Sequence, residues 1–232
     1  MNPVDPIILT AYLLCIAYFL WQIIKSFDDE FSIRVDEDAL KKLLSEKKLD
    51  DEQKLEDVIG ISFKFDKRYE FDKLKQLEIH ITNKSNNHSI YVDWDYSTLT
   101  DLGGRSRRVT RLMPGVTTDL FQTQVFSTVT PNTTLKEKIT AEDLLQRKQE
   151  KEKDSPLNLV FEVNKPLIDF KADKKKYEKF MQRAIELEFF LNLAFRLVGP
   201  TRALGGERFY VLCKFILNKY PWTVGLPWNP KK

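Results

Sequence analysis

A chain of 232 residues with 42% hydrophobic and 31% charged side chains can bury a sizeable core, which excludes a disordered polymer and a protein wholly embedded in lipid. Its 37 basic and 34 acidic residues leave a net charge of only +3, so the one-signed excess of a nucleic-acid binder is missing and no nucleic-acid partner is expected. The two cysteines, Cys15 and Cys213, build no disulfide framework and read as small buried hydrophobes rather than reactive thiols.

Residues 7–24 (IILTAYLLCIAYFLWQII) carry no charge, and only Thr10 and Gln22 interrupt them with strongly polar groups. As a helix they reach about 27 Å, enough for the hydrocarbon of a bilayer. Trp21 and Lys25 suit the interfacial end. A cleaved signal peptide fits less well: no Lys or Arg precedes the run, Asp5 is acidic, and no small-x-small site follows. Residues 1–25 are therefore expected to be a retained single-pass anchor. Lys25, Arg34, Lys41 and Lys42 follow the span and none precede it, which places the soluble part on the cytoplasmic side. The sequons at Asn83, Asn87 and Asn132 then read as chance matches.

Residues 26–58 are dense in both charge signs, with Leu40, Leu43, Leu44 and Leu55 as a thin apolar stripe. They are expected to form a charged helical connector, or a solvated spacer, since the leucines sustain no heptads. From residue 59 to 232 the period changes to two. Ile61, Phe63 and Phe65 alternate with polar residues, as do Leu77, Ile79 and Ile81. Residues 89–112 (SIYVDWDYSTLTDLGGRSRRVTRL) begin with Ile90, Val92, Trp94 and Tyr96 on one face, turn at Gly103-Gly104, and return through Arg105, Arg107, Arg108 and Arg111.

Residues 121–129 (FQTQVFSTV) and 157–163 (LNLVFEV) are further strand candidates. Thr140 with Asp143 three residues on reads as a capping-box variant that opens a short helix, and residues 147–156 read as a solvated loop. KADKKKYEKF (171–180) suits a loop or short helix. Two long alternating runs follow, one on Ile185, Leu187, Phe189, Leu191, Leu193, Phe195 and Leu197, the other on Phe209, Val211, Cys213, Phe215 and Leu217. They predict a central hairpin. Seven or eight short strands joined by Gly, Pro and Asn turns predict a mainly β fold, an antiparallel immunoglobulin-like sandwich with Trp94 in its core. Trp222 and Trp228 sit in a Pro-Trp tail suited to docking on a partner or to packing across its own domain.

Catalytic signatures are sparse. His80 and His88 are the only histidines, no GxSxG elbow exists, and the cysteines form no zinc cluster, so neither catalytic residues nor cofactor or metal ligands are assigned. Asp93, Asp95 and Asp101 lack the calcium-loop spacing. Asp93 and Asp95 are expected to face solvent, cross-strand from the returning arginines. Arg105, Arg107, Arg108 and Arg111 form the best binding candidate, for an acidic protein partner or an anionic lipid headgroup. A charged edge strand that merely resists aggregation explains them equally well.

The phrase IYVDWDYSTLTDLGGRSRRVTRLMPG, with the ending PWTVGLPWNPKK, resembles an uncharacterised family of single-pass membrane proteins of cyanobacteria. The resemblance spans roughly residues 63–232. It implies a membrane-attached Ig-like β domain and attaches no activity and no functional residues. The reading that follows is a non-enzymatic, membrane-anchored interaction or scaffolding protein that assists assembly of a membrane complex. The alternative is a membrane-tethered enzyme or ligand-binding domain with a pocket near Asp93 and Asp95.

Overall fold

The computed structural model describes residues 5–26, 30–49, 53–112, 123–150, 158–199 and 207–225. Helix α1, Asp5–Ser26, contains a stretch, Pro6–Ile23, of mean hydropathy 1.8 with no residue buried against protein. It is long and apolar enough to cross a membrane. Cys15 lies exposed on it, not inside a protein core.

The charged stretch after it is not the helical connector expected. Strand β1 (Glu30–Val35) comes first, then α2 (Glu37–Glu46) and the single turn α3 (Leu55–Val58). The reason lies under the charges: Phe31, Ile33 and Val35 alternate, and Phe31 and Ile33 are buried. Asp36 then stops the strand and caps α2, its Oδ1 accepting the Ala39 N–H at 3.1 Å. Leu40 and Leu44 turn inward from α2. This region is part of the β unit.

Nearly all the remaining elements are strands: β2 (Ile59–Lys64), β3 (Tyr69–Glu70), β4 (Leu77–Asn83), β5 (Ser89–Thr100), β6 (Ser106–Arg111), β7 (Ser127–Val129), β8 (Thr134–Ala141), β9 (Leu145–Glu150), β10 (Asn158–Val163), β11 (Leu187–Val198) and β12 (Glu207–Lys219). Helix α4 (Lys174–Met181) falls in the basic segment. Two corrections concern the middle of the chain. Thr140 caps no helix; it lies in β8, one residue before its end, with its hydroxyl donating to the Lys75 carbonyl at 2.9 Å, and only a 3-10 turn, Glu142–Leu144, follows. The expected loop begins instead as β9, which pairs with β10 in a separate ribbon.

Every pairing is antiparallel, and the large sheet runs β2-β4-β8-β6-β5-β11-β12-β1-β3, with β7 on the flank of β5. The predicted hairpin of β11 and β12 is its centre, in register from Leu187↔Leu217 to Leu197↔Glu207. Strand β6 is the corner. Its first half, Ser106–Arg108, pairs with β5, and its second half, Val109–Arg111, pairs with β8. The sheet therefore curls and its arms meet face to face. The Phe63 ring of β2 stands edge-on to Phe215 of β12 at 4.8 Å, and Phe189 of β11 stacks on the same ring at 4.6 Å. Phe31, Phe71, Phe170 and Phe180 close one end as a second aromatic group.

Cys213 sits in this core, and burial pushes its thiol up to about 12. The folded chain holds that proton after the unfolded chain, near its ordinary value of about 8.5, has released it. Stability is therefore full below about pH 8.5 and falls by up to about 1.4 kcal/mol per pH unit as pH rises toward 12. Urea midpoints of the full chain in detergent, taken from about pH 8 to pH 10, should drop more steeply for the native protein than for Cys213→Ala.

Candidate functional site at the bulge of the long strand

Strand β5 cannot run straight beside β11. Asp93 pairs with Ala194 and Thr98 with Asn192, so Trp94 to Ser97 stand opposite a single residue, Leu193. The surplus residues form a bulge. Ser97 closes it from both sides: its hydroxyl donates to the Asp93 carbonyl at 2.7 Å and accepts the Ala194 N–H at 3.1 Å. A side chain thus replaces ladder partners that the bulge removes. The bulge also reverses the faces. Ile90, Val92 and Trp94 point inward before it, Ser97 and Leu99 after it, and Tyr96, expected inside, is 54% exposed. Arg208 covers the Tyr96 ring at 4.5 Å.

Asp93 is not the solvent-facing carboxylate expected. It is 1% exposed and accepts from Arg196 Nη2 of β11 at 3.0 Å, while the same guanidinium lies 4.8 Å from the Phe126 ring. Asp95 is half-buried and accepts from Arg108 Nε at 3.2 Å, from Arg108 Nη2, and from the Gln124 backbone N–H at 3.1 Å. Both carboxylates are directed at guanidiniums within the fold.

The arginines of β6 follow the alternation predicted for them. Arg107 and Arg111 share one face with side chains 8% and 9% exposed, and Arg108 lies on the other. Arg107 Nη2 donates to the Leu167 carbonyl at 2.7 Å, and its Nη1 lies 3.5 Å from Asp143. Arg108 spans Asp95 and Glu142, the second at 3.2 Å. Burial opposes its charge, but its hydrogen bonds to Asp95 and the nearby acids outweigh that and hold the guanidinium above its ordinary pKa.

Arg111 donates to Ser127 Oγ at 3.0 Å and to the Val125 carbonyl at 2.8 Å, with its guanidinium 5.9 Å from the Trp94 ring. Ser127 Oγ also accepts the Trp94 Nε1–H at 2.9 Å. Glu137 lies 3.9 Å from Arg111, and burial pushes its carboxyl up against the opposing pull of that arginine. Arg105 differs. Asp101 fixes the turn before it, its Oδ1 accepting the Gly103 and Arg105 N–H groups at 3.0 Å, with Gly104 at φ 79°. Its side chain pairs with Asp143 at 3.2 Å yet stays 69% exposed.

The geometry is a mixed-charge brace at the corner of the sheet, joining β5, β6, β8 and β11. Of the six binding residues expected, Arg105 and Trp222 keep substantial exposure, Trp222 at 39% in a 3-10 turn, Trp222–Gly225, to which Arg68 donates at the Val224 carbonyl. Trp228 lies outside the described residues. Ser97, Gln124, Ser127 and Arg196 are part of the arrangement and were missing from the sequence-based set. Arg196 carries the one readable signal, an arginine on the outer face of a strand expected to lie at the centre of the sheet.

The histidines serve local structure. His80 Nε2 meets Glu78 at 3.1 Å, and this bond holds the Glu78 carboxyl below its ordinary range. His88 Nδ1 meets Ser85 Oγ at 3.2 Å, and its ring lies so close to Gly199 that a Cβ there would come within 2.0 Å of it. Among the described residues no group of three or more His, Cys, Asp or Glu could hold a metal ion. Family models, curated proteins and solved structures give no match to this chain. Fold and site together define a mainly β, antiparallel curled domain preceded by a helix able to cross a membrane.

Two substitutions test the brace. Ser97→Ala should cost about 1–3 kcal/mol, since it leaves the buried Ala194 N–H and Asp93 carbonyl without a partner. Asp93→Ala should cost about 3 kcal/mol by stranding Arg196, and Arg196→Met added to it should recover part of that loss. Denaturant unfolding of the full chain measures both.

Proposed function

We propose that this chain is a non-enzymatic, membrane-anchored interaction domain whose β unit works close to the lipid surface, on the cytoplasmic side, in the assembly or scaffolding of a membrane complex. The observation that carries this reading is how the anchor meets the domain. Helix α1 has no residue of its apolar span buried against protein, yet β1 begins at Glu30, four residues beyond its end, and enters the sheet at once. Phe31 is fully buried, and Glu30 pairs with Arg68 at 3.3 Å, both side chains below 10% exposure. A tether this short, leading straight into a strand held within the sheet, keeps the domain near the bilayer.

The opposed arms of the curled sheet support an immunoglobulin-like reading of the β unit, in line with the cyanobacterial single-pass family that the sequence resembles. Arg105 and Trp222 are the exposed members of the expected binding set. Arg105→Glu with Trp222→Ala should reduce either the proteins crosslinked to the full chain in its native membrane or its flotation with vesicles containing anionic lipid. Unchanged crosslinking together with unchanged flotation would falsify a binding role for these residues. Charge reversal at Arg107 or Arg108 should instead lower the denaturation midpoint, because each guanidinium holds elements of the fold together.

A further inference from the structure

Among the described residues the large sheet curls but does not close, and the registers of the two strands at the gap turn backbone groups without a strand partner toward it. On one side is β2, which among the described residues has a partner only in β4. The Lys84 N–H donates to the Val58 carbonyl at 2.8 Å, which sets the register. Val58, Gly60, Ser62 and Lys64 therefore bond to β4, and Ile61 and Phe63 direct their N–H and C=O groups outward.

On the other side is β1. Its bonds to β12 fall on even positions, shown by Tyr220 N–H to the Glu30 carbonyl at 3.1 Å and Asp36 N–H to the Lys214 carbonyl at 2.9 Å. The outward groups are those of Phe31, Ile33 and Val35, and the short β3 covers only the Glu30–Phe31 end. Ile33 and Val35 are thus left open opposite Ile61 and Phe63.

Between these edges lies a groove of about 670 Å³, lined by Ile33, Val35, Leu40, Leu44, Ile61 and Phe63 among others. Ile61 and Phe63 lie on the inward face of β2 but remain only partly buried, as residues beside a missing neighbour would be. An acyl chain could fill the apolar floor but would leave the backbone groups of both edges unpaired. An extended peptide satisfies both the floor and the edges.

Charge narrows its character. The acids at the rim are already engaged, Glu37 with Lys41 at 3.3 Å and Glu56 with Lys54 at 3.4 Å. Lys84 Nζ donates to a neutral group, the Glu56 carbonyl, at 2.9 Å, and among the described residues no carboxylate lies within ion-pair distance of it.

The geometry points to strand addition: the seam between β1 and β2 accepts an extended segment of a partner protein, apolar at alternate positions and carrying a carboxylate toward Lys84. This rests on the reading of the chain as an interaction domain and names the chemistry of its partner.

The test uses the full chain in detergent micelles and three acetylated, amidated heptapeptides. One alternates Val and Thr with a Glu at an outward position, one has Lys for that Glu, and one has the Glu sequence N-methylated at alternate amides. The Glu peptide should bind saturably and protect the amides of Ile33, Val35, Ile61 and Phe63 from hydrogen exchange. The Lys peptide should bind about tenfold more weakly, and the N-methylated peptide, which loses its N–H bonds to one of the two edges, should also bind more weakly than the Glu peptide. Lys84→Glu, a surface change checked for folding by circular dichroism, should reverse the preference between Glu and Lys.

No saturable binding of the Glu peptide at millimolar concentration overturns the proposal, as does equal binding of the N-methylated peptide. Protection of the same amides by phospholipid alone, or by raised protein concentration without peptide, overturns it in favour of an acyl chain or a second copy. If native-membrane crosslinks persist unchanged in Lys84→Glu while the peptide results fail, the seam is refuted and the interaction reading stands. If the crosslinks are absent from the native protein as well, both fail.

Discussion

The fold depends on one hydroxyl. A strand that must oppose a single residue with four of its own loses ladder partners, and buried N–H and C=O groups cannot be left unmade without a cost of about 1–3 kcal/mol each. Ser97 supplies both a donor and an acceptor at the point where β5 departs from β11. A β-branched apolar residue of similar size would offer neither. Because the bulge is closed in this way, β5 keeps β11 along both halves while its other side exchanges one neighbour, β7, for another, β6.

That exchange explains the concentration of charge nearby. Where β6 leaves β5 for β8, the ladder is interrupted, and long side chains span the distance that backbone bonds cannot. Arg107, Arg108 and Arg111 each join different elements: Asp143 receives the first, Asp95 and Glu142 the second, and Glu137 the third. Arginine suits the task, because its planar fork donates in several directions and stays charged when partly buried. The net contribution of these pairs to stability is small beside the Phe63–Phe215–Phe189 core, since desolvation consumes much of the attraction. Their effect is on connection: they join, at the corner, elements that the backbone ladder leaves unlinked.

Much of this was legible in the sequence, and the failures have physical causes. Period-two runs located β2, β4, β11 and β12, because one buried face writes itself directly into the residue order. The Gly103-Gly104 turn was readable from its need for a positive φ at Gly104. Strand β1 was hidden because Glu30, Arg34 and Asp36 surround three alternating apolar residues, and charge dominated a pattern only six residues long. Tyr96 was misplaced because a bulge shifts the period without leaving any breaker residue in the sequence. The brace was half legible. Asp93, Asp95 and the arginines of β6 were visible as a cluster, but Arg196 lies more than a hundred residues from Asp93, and only the β5–β11 register brings them together.

The same curl that buries the aromatic core leaves the sheet with two ends. A closed barrel would need β2 to pair with β1, whereas among the described residues β1 pairs with β12 and β3 and β2 pairs with β4. The nine residue steps from Ser26 to Val35 span at most about 32 Å even when fully extended, so the edge at Ile33 and Val35 cannot lie farther than that from the end of α1. Whatever pairs with that edge must therefore reach it within the same distance of the apolar helix. The incomplete edge and the short connection are thus consequences of one placement: β1 both follows the apolar helix α1 and forms the rim of the sheet.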